Sequence, residues 1–190
     1  GALPAGTELK SGGLRTMLAT GASPVREALS LLTSDMLVER IDQRGFRAAP
    51  ANIANFEEIF SLRCTLEDKA LRQSIAAATP DWEERLVLSH HRMKRATTNF
   101  EEAHKAFHMT LLDNAGSPML QRFCSQLYDL NIRYRNLAAG GPNYQKRDIA
   151  AEHEAILNAA IQRDADLASE VLLKHYRLTG AYLTGQLAKL

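Results

Sequence analysis

A chain of 190 residues, 45% hydrophobic and 24% charged, has the apolar content to pack one large or two small domains, which excludes disorder as its basic state. The formal net charge of +1 excludes a global basic field, so any nucleic-acid contact must come from a local patch. No run approaches ~18 consecutive apolar residues, so no membrane-spanning helix is expected, and the chain reads as cytoplasmic. The first residue is Gly1, not Met, which leaves room for an upstream segment. Cys64 and Cys124 lie far apart without metal or redox spacing and read as two buried thiols in a reducing compartment.

The texture of the chain changes near residue 50. Residues 14–20 read as a short helix, and Gly21-Ala22-Ser23-Pro24 as a tight turn, with Ser23 as N-cap and Pro24 at the first helical position. The helix that follows places Val25, Ala28, Leu29 and Leu32 on one expected buried face. Residues 37–41 alternate like a strand, 42–45 turn, and 46–48 return as a second strand. Helix, turn, helix and two-stranded ribbon form a winged helix-turn-helix over 1–50.

Beyond it every pattern is helical. Asn52 or Asn55 can cap a helix of about 24 residues with Ile59, Leu62, Leu66, Ala70 and Ala77 as its stripe. Thr79-Pro80-Asp81 starts another, to about Thr97. Further helices are expected over 100–115, from Ser117-Pro118 to about 138, over 144–163 after the breaker 140–143, and from Asp164 for about 20 residues. Residues 51–190 should form an antiparallel bundle, making the chain mainly α.

Six histidines carry the most chemistry. His104 and His108 are four apart, which puts both imidazoles on one helix face. His153 and His175 sit on two other expected helices, so a bundle can bring four imidazoles to one point, a donor set for a transition metal rather than Mg or Ca. Each one alone also fits an ordinary polar helix residue. Adjacent His90 and His91 read as surface residues or a local interaction site. A di-iron bundle would need two Glu-x-x-His motifs, and Glu101 with His104 makes only one. For DNA, residues 1–50 carry six basic and five acidic side chains. Placement matters more: Arg15, Arg26, Arg44 and Arg47 lie near the first helix, the start of the second and the ribbon, where a winged helix meets phosphates and groove edges. The same arginines also fit a solvated surface. No nucleophile–base arrangement or phosphate loop is present, and Gly12-Gly13 and Gly140-Gly141 read as turns.

The stretch from Ala22 to Pro50 resembles the GntR family of bacterial transcription regulators: Pro24 to Leu29 match its recognition helix, Met36-Leu37-Val38 its "GLV" strand with Met for Gly, and Arg44-Gly45-Phe46 its wing. Residues 3–10, LPAGTELK, are similar to the family's entry motif. The family has a further helix before this point, so the resemblance implies that the N-terminal domain is incomplete. Arg63 to Glu67, Ala106-Phe107-His108, Glu152-His153 and Lys174-His175-Tyr176 resemble the FadR-like subgroup with its FCD ligand-binding domain. Residues 127–135 add a similarity to the carbon-starvation-induced, glutarate-responsive type.

The resemblance implies a homodimer, a repressor on a two-fold double-stranded DNA operator, and a metal (Zn or Ni) held by His104, His108, His153 and His175. His104 stands where the subgroup has Asp, which leaves the site about one charge more positive and favours an anionic effector. Arg26 is the leading DNA contact, supported by Ser23, Arg15, Arg44 and Arg47. A carboxylate or dicarboxylate effector would be held by Arg63, Arg135 and Tyr134. The alternatives are a helical metalloenzyme acting on a small organic acid, a sensor with a purely structural metal, and histidines that bind ligand directly.

Overall fold

The computed structural model describes residues 4–42, 44–138 and 147–188. The N-terminal part comprises β1 (Glu8–Leu9), α1 (Ser11–Met17), α2 (Ala22–Ser34), β2 (Val38–Ile41) and β3 (Gly45–Ala48). The strands form one antiparallel sheet in the order β1-β3-β2, with Glu39 opposite Arg47. Strand β1 was not expected: two residues are too short for a visible alternation. Helix α1 starts earlier than the sequence suggests and takes in Gly12 and Gly13, so that glycine pair is helical, not a turn.

Helix α2 differs in two further ways. Gly21, not Ser23, is its N-cap, and Ser23 sits in the first turn with its hydroxyl 3.5 Å from Glu27 Oε1. Val25 and Leu29 pack with Leu9 and Val38, whereas Ala28 and Leu32 are exposed. The sheet is too small to cover more than the Val25–Leu29 line of the helix. Met36, at the family's Gly position, has φ +60°, a left-handed conformation that an L side chain adopts at a cost.

The C-terminal part is all helical among the described residues: α3 (Ile53–Ala76), α4 (Pro80–Arg95), α5 (Phe100–Leu112), α6 (Pro118–Ala138), α7 (Ile149–Ile161) and α8 (Ala165–Leu187). Local chemistry sets the starts. Asn52, Thr79, Asp148 and Asp164 each accept a backbone N–H in the first turn. The expected breaker at 140–143 and residues 144–146 of the expected seventh helix lie outside the described residues.

The main core packs α3, α4, α5, α7 and α8 around Leu71, Trp82, Leu86, Phe107, Leu111, Ile156 and Leu172. The buried line of α3 runs Phe56, Ile59, Arg63, Glu67, Ala70, Ser74; the expected stripe fails at Leu62 and Ala77, which are exposed. Two charged residues in the buried line disguised its true direction. Near the N-terminal part, α3, α6 and α8 build a second cluster from Phe56, Leu127, Tyr134 and Leu183, with Leu37 packed against it. One stripe of α6 (Arg122, Ser125, Gln126, Asp129, Arg133) shares clefts with Asp35, Leu37, Met36 and Glu39. The opposite stripe (Asn131, Arg135) faces the interior of the bundle.

Candidate metal and effector site

Helices α5, α7 and α8 bring His104, His108, His153 and His175 together, with one ring nitrogen from each within 4.8 Å of the others. His104 Nε2 lies 3.0 Å and His108 Nε2 3.3 Å from His153 Nε2. Tetrahedral Zn–N bonds place donor atoms ~3.3 Å apart, close to these two separations, and the wider ones, up to 4.8 Å, would draw in around an ion. All four rings are buried. Burial, the largest cause at every ring, holds each pKa below its ordinary value, with His153 down at about 3; neighbouring imidazoles and arginines add to it at His104, His108 and His153, while at His175 Glu152 opposes it. The cluster is therefore neutral at pH 7, the form that donates to a metal.

The neighbours orient the donors. His175 Nδ1 lies 2.6 Å from Glu152 Oε2, and Arg147 grips that carboxylate through NH2 at 2.6 Å and Nε at 3.1 Å. These contacts lower the Glu152 pKa to about 2, overcoming the opposing effect of its burial. His108 Nδ1 lies 3.1 Å from the Tyr176 hydroxyl, which donates to Glu67 and so has a lone pair for a proton on Nδ1. Both rings thus present Nε2 to the centre, as bound imidazoles do.

His104 differs. Its Nδ1 faces the Tyr128 hydroxyl and also Arg135 NH1, at 2.9 Å. A guanidinium only donates, so the arginine contact keeps the proton on Nε2. A metal on Nε2 would need that proton on Nδ1, directed to Tyr128, whose own hydroxyl donates to Glu101 at 2.9 Å.

The rings His104, His108 and His175 line a cavity of about 270 Å³ with Arg63, Phe100, Glu101, Arg135 and Tyr176. Of the arginines expected to hold an effector, Arg63 is spent: it is buried and bound by Glu67 at 2.6 and 3.3 Å. Arg135 does reach the cavity. Tyr134 does not; it is fully buried against Phe56, with its hydroxyl 2.7 Å from Asn55 at the start of α3. Its i−1 relation to Arg135 puts it on a different side of α6.

The expected DNA contacts also separate. Arg15, Ser23, Arg26 and Arg44 are exposed, while Arg47 pairs with Glu39 at 2.6 Å across β2 and β3. His90 is buried against Phe107, contrary to the surface reading, and only His91 is exposed: α4 turns His90 inward with Leu86 and Met93. In the sequence Tyr128 and Arg147 showed no role at the site; Glu67 showed only as the i,i+4 partner of Arg63, and Glu101 only as the Glu-x-x-His partner of His104.

Comparison with known proteins agrees with this architecture. The family described as bacterial regulatory proteins, gntR family, matches residues 1–47, and the FCD domain family matches residues 58–178. The HTH-type transcriptional regulator BphR of Paraburkholderia xenovorans (strain LB400) is 35% identical over 186 residues, covering 92% of this chain and 76% of that protein. The HTH-type transcriptional repressor GlaR of Escherichia coli (strain K12) is 26% identical over 180 residues, covering 85% and 79%. In fold, the chain is similar to E. coli McbR/YncC, with TM-score 0.85 at 21% identity over 98% of this chain and 91% of that one. The chain belongs to the GntR family of bacterial transcriptional regulators and joins its DNA-binding domain to an all-helical FCD domain.

Proposed function

We propose that this regulator is a cytoplasmic homodimeric repressor whose DNA-binding residues 1–50 answer to a metal-dependent carboxylate sensor in residues 51–190. The observation that carries the reading is the convergence of four buried imidazoles, three of which line a cavity that also holds Arg135. His104, His108, His153 and His175 would hold Zn or Ni, and the ion would supply a Lewis-acidic positive charge for an effector carboxylate. Arg135 gives the carboxylate a second cationic partner. A purely structural metal is less favoured, because three of the ligand rings line the cavity and a structural site is closed.

The four-histidine set leaves the site about one charge more positive than one with a carboxylate ligand, which favours anions. Metal analysis of protein purified without a nickel column, followed by a thermal-shift screen of mono- and dicarboxylates with and without chelator, tests the sensor. Metal near one equivalent per chain and a chelator-sensitive shift are expected. Protein devoid of metal, or shifts indifferent to chelator, would defeat it. On the DNA side, Arg26 near the start of α2 is the principal contact, aided by Ser23, Arg15 and Arg44, and by Arg47 once parted from Glu39. Arg26→Ala should weaken operator binding in a gel-shift assay about tenfold or more, by loss of a charged contact; a change within about twofold would be too small for a lost base or phosphate contact.

A further inference from the structure

We propose that Glu101 is an internal stand-in for the effector: its carboxylate occupies Arg135 in the free protein and must leave before an effector carboxylate can bind there. The inference rests on the sensor reading above. The cavity is lined by two arginines, Arg63 and Arg135; Arg63 is paired with Glu67 behind the wall and Arg135 with Glu101 on the wall, and the two pairs differ in kind. In Arg63–Glu67 both side chains are buried, at 7% and 0% exposure, and the carboxylate uses both oxygens. Neither partner can leave without stranding a buried charge. In Arg135–Glu101 the arginine is 12% exposed but the glutamate 44%. Glu101 sits in the first turn of α5 at the cavity edge, and its contacts with Arg135 NH2 and the Tyr128 hydroxyl both use one oxygen, Oε1. It can swing into water and be hydrated at little cost.

The guanidinium is also incompletely used. Arg135 NH2 contacts Glu101 and lies 3.1 Å from the Tyr128 hydroxyl, and NH1 faces His104. Its Nε is buried and without a hydrogen-bond partner. A carboxylate in the cavity that took two guanidinium N–H groups side by side would form the stronger, forked arrangement. Glu101 thereby sets a threshold: only a ligand that binds Arg135 better than a single carboxylate oxygen does gains entry.

The test is isothermal titration of metal-loaded wild type, Glu101→Gln and Arg135→Ala with the unbranched dicarboxylates from malonate to adipate. The amide keeps the size of Glu101 but loses the charge. Glu101→Gln should bind the best wild-type ligand about fivefold tighter, as expected for removing a half-exposed competitor, and Arg135→Ala should lose binding. Equal or weaker binding by Glu101→Gln, with Arg135→Ala still defective, overturns the stand-in role and leaves the sensor intact. No binding by either wild type or Glu101→Gln overturns both. Melting temperatures supply a second readout: a difference between wild type and Glu101→Gln in the free protein should close at saturating ligand. An ion pair that merely stabilises the fold would keep that difference.

Discussion

Replacing Glu67 by Gln tests how the cavity wall is held. Glu67 accepts Arg63 Nε at 2.6 Å and Arg63 NH2 at 3.3 Å, and also the Tyr176 hydroxyl. The amide keeps the shape but removes the charge and points two donors at partners that are themselves donors. Arg63 is then a buried cation left with the Tyr176 and Tyr128 rings, at 4.5 and 5.2 Å, and such contacts return only about 1–2 kcal/mol. Breaking one partner of a buried pair costs about 3–5 kcal/mol, so a net loss of about 1–4 kcal/mol is expected.

Urea unfolding of the metal-free protein at pH 7.5, followed by circular dichroism, measures it. The double variant Arg63→Met, Glu67→Leu should recover most of the loss, because it removes both charges together. Tyr176 also orients His108, so Glu67→Gln should weaken metal affinity about 10–100-fold. A stability loss below about 1 kcal/mol, or a double variant worse than the single one, would refute the idea that Arg63 is structurally committed and return it to the list of effector contacts.

Three other outcomes follow from the same geometry. The folded metal-free protein resists protonating its four buried imidazoles, while the unfolded chain accepts protons below pH ~6.5. Stability is therefore full above that pH and falls as pH drops, continuing toward the His153 value of about 3. Acidification from pH 7.5 to 5.5 should remove about 3–5 kcal/mol in urea titrations, and a flat profile would show that the rings are not held neutral. Met36→Gly should stabilise by about 0.5–1 kcal/mol, because φ is +60° and Gly adopts it freely; a lower Tm would mean no strain is stored there. Gly180→Ala should cost about 1–3 kcal/mol, since a Cβ there would lie 2.8 Å from the Phe60 ring; an unchanged unfolding midpoint would show that α3 and α8 have room to part.

The starts of α3, α4 and α8 were legible because each rests on a local signal: Asn52, Thr79 and Asp164 cap the helices their side chains announce, whereas α1 and α2 begin without a side-chain cap and earlier than the sequence suggests. The four histidines were legible as a set only because each lies on a different part of a regular pattern that a bundle folds inward. What surrounds them was not. Tyr128 and Arg135 meet His104 from 24 and 31 residues away, and both also meet Glu101, a closure that depends on how α5 and α6 cross. Tyr134 and Arg135 are adjacent in sequence yet serve different places, the α3 terminus and the cavity, because neighbouring helix positions point about 100° apart. His90 was misread for the complementary reason: a polar residue buried beside an aromatic ring looks, in sequence, like any surface histidine. The strained Met36 was visible only as a departure from Gly until the backbone angle showed its cost.

Helix α6 is a single rod of 21 residues, ~31 Å long. The side bearing Arg122, Ser125, Gln126, Asp129 and Arg133 borders the clefts with the winged domain, and the side bearing Asn131 and Arg135 borders the cavity beside the histidines. A party wall of this kind needs no relay of side chains between its two rooms. Whatever leans on Arg135 leans on the same stiff element that Leu37 and Met36 abut on the far side, so a small roll of α6 is felt in both compartments at once.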